Sequence, residues 1–167
     1  MSVAILMKNS LINRSFEKAK RENRPALITY TVAGDNTKKK SLDILKSISK
    51  NVDICEVGFP HNTPIADGGQ IQTSSYRALK NGIKINDVFQ IIKKFKNNKK
   101  PKPIILMGYY NIIFQLGENQ FIKKCKKSGV NGIIVVDLPY PENKKFAKKC
   151  IKKSIDFIQL ILSLIHI

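Results

Sequence analysis

The sequence predicts an α/β fold of the (β/α)-barrel type, and three observations lead there. Short runs rich in β-branched residues alternate with stretches of helical periodicity, the runs are largely apolar on both faces, and neither a GxGxxG nor a Walker A sequence occurs. Strand–helix alternation calls for a parallel sheet, and strands without a polar face need cover on both sides. The missing glycine motifs count against a doubly wound nucleotide-binding sheet, which leaves a barrel.

The elements follow in order. From Met7, MKNSLINRSFEKAK opens like an amphipathic helix. The first strand is ALITYTVA (26–33), and NTKKKSLDILKSISK after it carries Leu42, Ile44, Leu45 and Ile48 at helical spacing. DICEVGF (53–59) is the second strand. INDVFQIIKKFKNN is a helix in which Asn86 or Asp87 caps a face of Val88, Ile91, Ile92 and Phe95. PIILMGYY (103–110) is the third strand, followed by ENQFIKKCKKSG with Phe121, Ile122 and Cys125 on one helical face; Gly129 and Gly132 close units. GIIVVDL (132–138) is the fourth strand. NKKFAKKCIKK places Phe146, Ala147, Cys150 and Ile151 between lysines, and DFIQLIL (156–162) is the fifth strand.

At 167 residues and 43% hydrophobic content, the chain suffices for one domain with a core. A formal charge of +18 raises the question of nucleic-acid binding. The lysines, however, fill the polar faces of helices, and the four arginines (Arg14, Arg21, Arg24 and Arg77) neither interleave with aromatics nor belong to a binding motif. No specific nucleic-acid recognition is expected. Cys55, Cys125 and Cys150 form no CxxC pair and have no nearby histidines, so no metal site is expected and a reduced, cytoplasmic setting is. VAILM near the N-terminus is too short for a signal peptide or a membrane span.

One residue breaks the apolar pattern. Along the second strand Cys55, Val57 and Phe59 share one face, suited to the outer helices, so Ile54, Glu56 and Gly58 point the other way. In a barrel that second face is the lumen. Gly58 lies one pleat nearer the strand's C-terminal end, where barrel active sites are built, and would leave room for a ligand. An acid walled by apolar groups has its charged form disfavoured, which moves its pKa toward neutrality and suits proton transfer. An internal hydrogen bond or ion pair for Glu56 is the competing reading. A second acid, Asp67, follows in a Pro/Gly-rich loop.

At these residues the sequence resembles the α subunit of tryptophan synthase, over residues 8–161. RPALITYTVAGD (24–35) is similar to the family's first strand and turn, and EVGFPHNTPIADGGQIQ (56–72) to its signature E-L-G-x-P-F-S-D-P-x-A-D-G-P-x-I-Q. ILMGYYN (105–111) and GVNGIIVVDLPYPE (129–142) are similar to the third and fourth strands. The resemblance implies a (β/α)8 TIM barrel and retro-aldol cleavage of indole-3-glycerol phosphate to indole and glyceraldehyde 3-phosphate, in tryptophan biosynthesis. It implies no cofactor in this subunit, a pyridoxal-phosphate-dependent β subunit as partner, and an α2β2 heterotetramer. Carried over by position, Glu56 is the general acid/base and Asp67 the carboxylate that stabilises the indole N–H as positive charge develops. Tyr30, Ile71, Met107 and Tyr109 would line the indole pocket, Asn111 would stand near the site and the subunit interface, and Asp137 and Pro139 match a loop facing β.

Two departures qualify these expectations. The signature F-S-D is here His61-Asn62-Thr63, so a loop aspartate that helps couple α to β is replaced by Thr63; His61, alone in its loop, is expected to be polar surface. Five strands are visible where the family has eight, and the late phosphate-binding loops are absent. The expected organisation is therefore a TIM barrel truncated after about the fifth strand, with residues 1–162 as its N-terminal part and 163–167 as a truncated or non-native tail. The alternative is a catalytically weak α-like partner that binds and activates a β subunit.

Overall fold

The computed structural model describes residues 4, 5 and 7–160. Its elements are β1 (Ala4–Ile5), α1 (Leu11–Arg21), β2 (Ile28–Val32), α2 (Lys38–Ile48), β3 (Ile54–Gly58), α3 (Gly69–Lys80), α4 (Ile85–Lys96), β4 (Ile104–Gly108), α5 (Tyr110–Leu116), α6 (Glu118–Ser128), β5 (Gly132–Val135), α7 (Lys144–Lys152) and β6 (Asp156–Ile158). One sheet contains all six described strands, in the order β1-β6-β5-β4-β3-β2. From β2 to β6 all pairs are parallel, and β1 alone runs antiparallel, on β6. The α/β reading with five parallel strands holds. Each strand is shorter than expected, and the last residues expected in the fifth strand, with the tail 163–167, lie outside the described residues.

Local chemistry sets the helix starts. The hydroxyls of Ser10 and Thr37 accept backbone N–H groups of Asn13 and Lys40 at 3.0 Å, each satisfying a donor of the first turn. The expected cap of α4 is corrected. Lys84 is the N-cap, and Asp87 sits three residues inside, its carboxylate accepting the Lys84 N–H at 2.9 Å. Gly129 ends α6, whereas Gly132 closes nothing: it is the first residue of β5.

The sheet separates two apolar layers. On the helix side Cys55, Val57, Leu106, Ile133, Val135 and Phe157 pack against α2, α4, α6 and α7 through residues such as Leu45, Ile92, Phe95, Phe121 and Phe146. On the other side Ile54, Ile105, Ile134 and Ile158 gather with Ile12 of α1, and Met107 packs against them. This second layer is the lumen. Ile12 is fully buried, and its Cδ1 would lie 2.6 Å from a Cβ at Gly132, so the missing side chain is what admits α1 across the N-terminal ends of the strands, opposite the end at which barrel sites are built.

Candidate active site

Register alone assembles the site. Tyr30, Glu56 and Ile105 are aligned across β2, β3 and β4, and one layer further on Val32, Gly58, Met107 and Ile134 are aligned across β2 to β5. Parallel partners share a face, so Tyr30, Glu56 and Met107 point into the lumen as the alternation requires. The room above Gly58 is not free for a ligand. The Tyr30 hydroxyl fills it, 2.0 Å from where a Cβ would stand, so the glycine admits a tyrosine.

Glu56 is half-buried, and its carboxylate accepts no hydrogen bond from the described residues. Burial, then the charge of Asp67, push its pKa up from 4.5 to about 7. No partner of the kind a paired structural glutamate needs is found among the described residues. Asp67 comes from the loop 60–68. Its Oδ2 accepts the Tyr109 hydroxyl at 3.2 Å, and the same hydroxyl accepts the Ala66 N–H at 3.1 Å. Burial raises the pKa of both Tyr109 and Tyr30, and Asp67 and Glu56 add to the effect on Tyr30. Two acids and two neutral phenols thus lie within electrostatic reach of one another.

The remaining expected residues are distributed unevenly. Ile71, in the first turn of α3, lies with Tyr30 along a cavity of about 250 Å3 whose wall includes Asp35, Ser41 and Ser74. Glu56 and Asp67 do not line that cavity, which adjoins the acid pair through Tyr30 without containing it. α3 is fixed there by a two-bond pairing of Arg77 with Asp35, both contacts 2.8 Å. Asn111 is exposed at the start of α5 and makes no hydrogen bond to either acid among the described residues. Nearby, Asp137 accepts the Tyr110 N–H at 2.7 Å and so joins the β5 loop to α5.

His61 is not mere polar surface. Its ring stacks on Tyr109 at a centroid distance of 4.7 Å and 24°, and its Nδ1 accepts the Thr63 N–H at 3.1 Å. Sequence reading missed this role, and the two-sided use of the Tyr109 hydroxyl, because the partners are more than forty residues apart. The available signal was an aromatic immediately after a strand facing a loop that carries an acid. Among the described residues no group of three or more His, Cys, Asp or Glu could hold a metal, and no helix is long and apolar enough to cross a membrane.

The family model described as tryptophan synthase alpha chain matches residues 16–165. The chain belongs to this family. A tryptophan synthase alpha chain of Pelagibacter ubique (strain HTCC1062) is 74% identical over 152 residues, covering 91% of this chain and 57% of that protein. Among solved structures, tryptophan synthase subunit alpha of Legionella pneumophila str. Paris superposes with a TM-score of 0.84 at 30% identity, over 89% of this chain and 57% of that one. A tryptophan synthase complex of Pyrococcus furiosus gives 0.76 at 42% identity, over 79% and 54%. The described sheet and helices are thus part of a tryptophan synthase alpha barrel, and the chain spans little more than half the length of the curated alpha-chain relatives it matches.

Proposed function

We propose that the protein containing this chain is a lyase that cleaves indole-3-glycerol phosphate to indole and glyceraldehyde 3-phosphate. One observation carries the reading: Glu56 is a half-buried acid on the lumen face, without a pairing partner among the described residues, and a pKa of about 7 lets it give and take a proton near neutral pH, beside a second acid, Asp67. The reaction needs that pair. Protonation of indole C3 by Glu56 places positive charge on the ring, and Asp67 at the N–H opposes it. Loss of the glycerol hydroxyl proton to Glu56 then breaks the carbon–carbon bond. The electron pair returns to the ring, and the products are neutral indole and an aldehyde.

Two Pyrococcus furiosus structures are of a tryptophan synthase complex, one of them named as an a2b2 assembly. We infer a β-subunit partner for the family member that contains this chain. Pyridoxal phosphate belongs, in this reading, to that β subunit.

The test joins this chain to the C-terminal remainder of the 74%-identical relative and measures indole release from indole-3-glycerol phosphate. The joined chain should turn over. Glu56→Gln should keep the fold by circular dichroism and lose on the order of a hundredfold in rate. Turnover by Glu56→Gln close to that of the parent would remove Glu56 from the mechanism, and a folded, inactive parent would favour a noncatalytic α-like partner.

A further inference from the structure

The loop that carries Asp67 has little to hold it. Asn62, Thr63, Ile65 and Ala66 are exposed, Ile65 at 83%, and two internal backbone bonds, Ile65 N–H to Thr63 and Asp67 N–H to Pro64, shape it without tying it to the barrel. The Gln72 side chain donates to the Asp67 carbonyl at 2.9 Å, which fixes the main chain and leaves the carboxylate free to rotate. Among the described residues, what reaches the carboxylate is Tyr109, 5% exposed just after β4.

A phenol has one proton. Because the Tyr109 oxygen accepts the Ala66 N–H, its own O–H is available to Asp67 Oδ2, and the distances of 3.1 and 3.2 Å show both bonds made together. His61 stacks on the ring and, through Nδ1, closes the turn at Thr63 on the other side of the loop. The loop is therefore held to one ring by three contacts.

We propose that Tyr109 is a positioning residue for the cleavage reaction, a role that rests on the function given to Asp67 above. It binds one carboxylate oxygen and the adjacent backbone, and so leaves the other oxygen at a fixed angle for the substrate's N–H, with His61 as the platform behind the ring. A residue that only lined an indole pocket would act on affinity. Tyr109 acts on rate, through Asp67, because a misaligned carboxylate meets the developing charge less well than the neutral ground state reveals.

The test is a double-mutant cycle in the joined chain described above. Tyr109→Phe keeps the ring, its stacking and its apolar surface while deleting both hydrogen bonds. It should lower kcat about tenfold with KM nearly unchanged. In an Asp67→Asn background, already slow, the same substitution should cost less than about twofold, because its route through the carboxylate is gone. Equal losses in both backgrounds, or a KM effect alone, would overturn the proposal while leaving the lyase reading standing. If the parent chain proves inactive, the lyase reading falls and hydrogen exchange on the 167-residue chain decides the holding role. Tyr109→Phe should then speed exchange at Ala66 and across residues 61–67 with β4 unchanged, and unchanged loop exchange would end the proposal.

Discussion

At the scale of single residues the informative position is Glu56, whose oddity was visible in the sequence: alternation alone put it on the lumen face, and its neighbours alone predicted a raised pKa. The value near 7 has a consequence for stability. The folded state holds the proton more tightly than the unfolded chain, so this residue favours folding fully below pH 4.5, and the advantage is lost as pH rises through about 7. The gap is worth about 3 kcal/mol. Glu56→Gln, neutral at every pH, should match the parent's urea midpoint at pH 4 and exceed it at pH 8; an equal difference at both would mean that the acid is not desolvated. Asp67 has a different signature. Asp67→Asn keeps size and an acceptor but loses the charge that opposes a cationic ring, so kcat in the joined chain should fall more than substrate affinity. Weaker binding at unchanged maximal rate would mark a ground-state contact instead. What the sequence did not disclose at this scale was contact between distant side chains. The Tyr30 hydroxyl over Gly58, and Tyr109 between His61 and Asp67, depend on register and loop path, which no local pattern encodes.

At the scale of elements the five parallel strands were legible because each is a short β-branched run bounded by polar loops, and four of the intervening helices because lysines and apolar residues alternate at helical spacing. Three elements were not. α3 begins at Gly69 and mixes Gln, Thr, Ser and Tyr, so its apolar stripe is thin; α5 has seven residues and follows directly on a strand whose pattern runs into it; β1 has two residues and depends wholly on a distant partner. α1 was legible as amphipathic, but its destination was not. Its buried face enters the lumen layer at Ile12, over Gly132, where the surrounding isoleucines have no freedom to collapse into a void. Ile12→Ala should therefore cost about 2–5 kcal/mol in urea unfolding of the 167-residue chain. A loss below about 1 kcal/mol would show that α1 only rests on the strands.

For the whole molecule the decisive feature is how the sheet's edges are covered. β2 has no strand on its outer side among the described residues, and Leu27 and Ile28 beside that edge are 52% and 38% exposed; on the other side β6 carries only the two residues of β1. Unpaired strand edges flanked by apolar side chains recruit other strands. The opposing force is charge: a net +18 repels like chains, and salt screens that repulsion within about 10 Å at 0.1 M. The isolated 167-residue polypeptide should thus bind an apolar dye at low salt and self-associate increasingly as salt is added, the reverse of what ion-pair assembly would show. It should also form negligible indole. The substrate's phosphate carries about two negative charges that barrels hold with oriented backbone N–H groups, whereas most of this chain's lysines stand exposed on the helical side of the sheet, away from the lumen. Supplying the remaining length of the Pelagibacter ubique relative should pair both edges, abolish dye binding and give measurable turnover. A 167-residue polypeptide that is monomeric at high salt, silent to the dye and active would mean that these strands close their own edges and that a phosphate site exists on the lysine-rich surface.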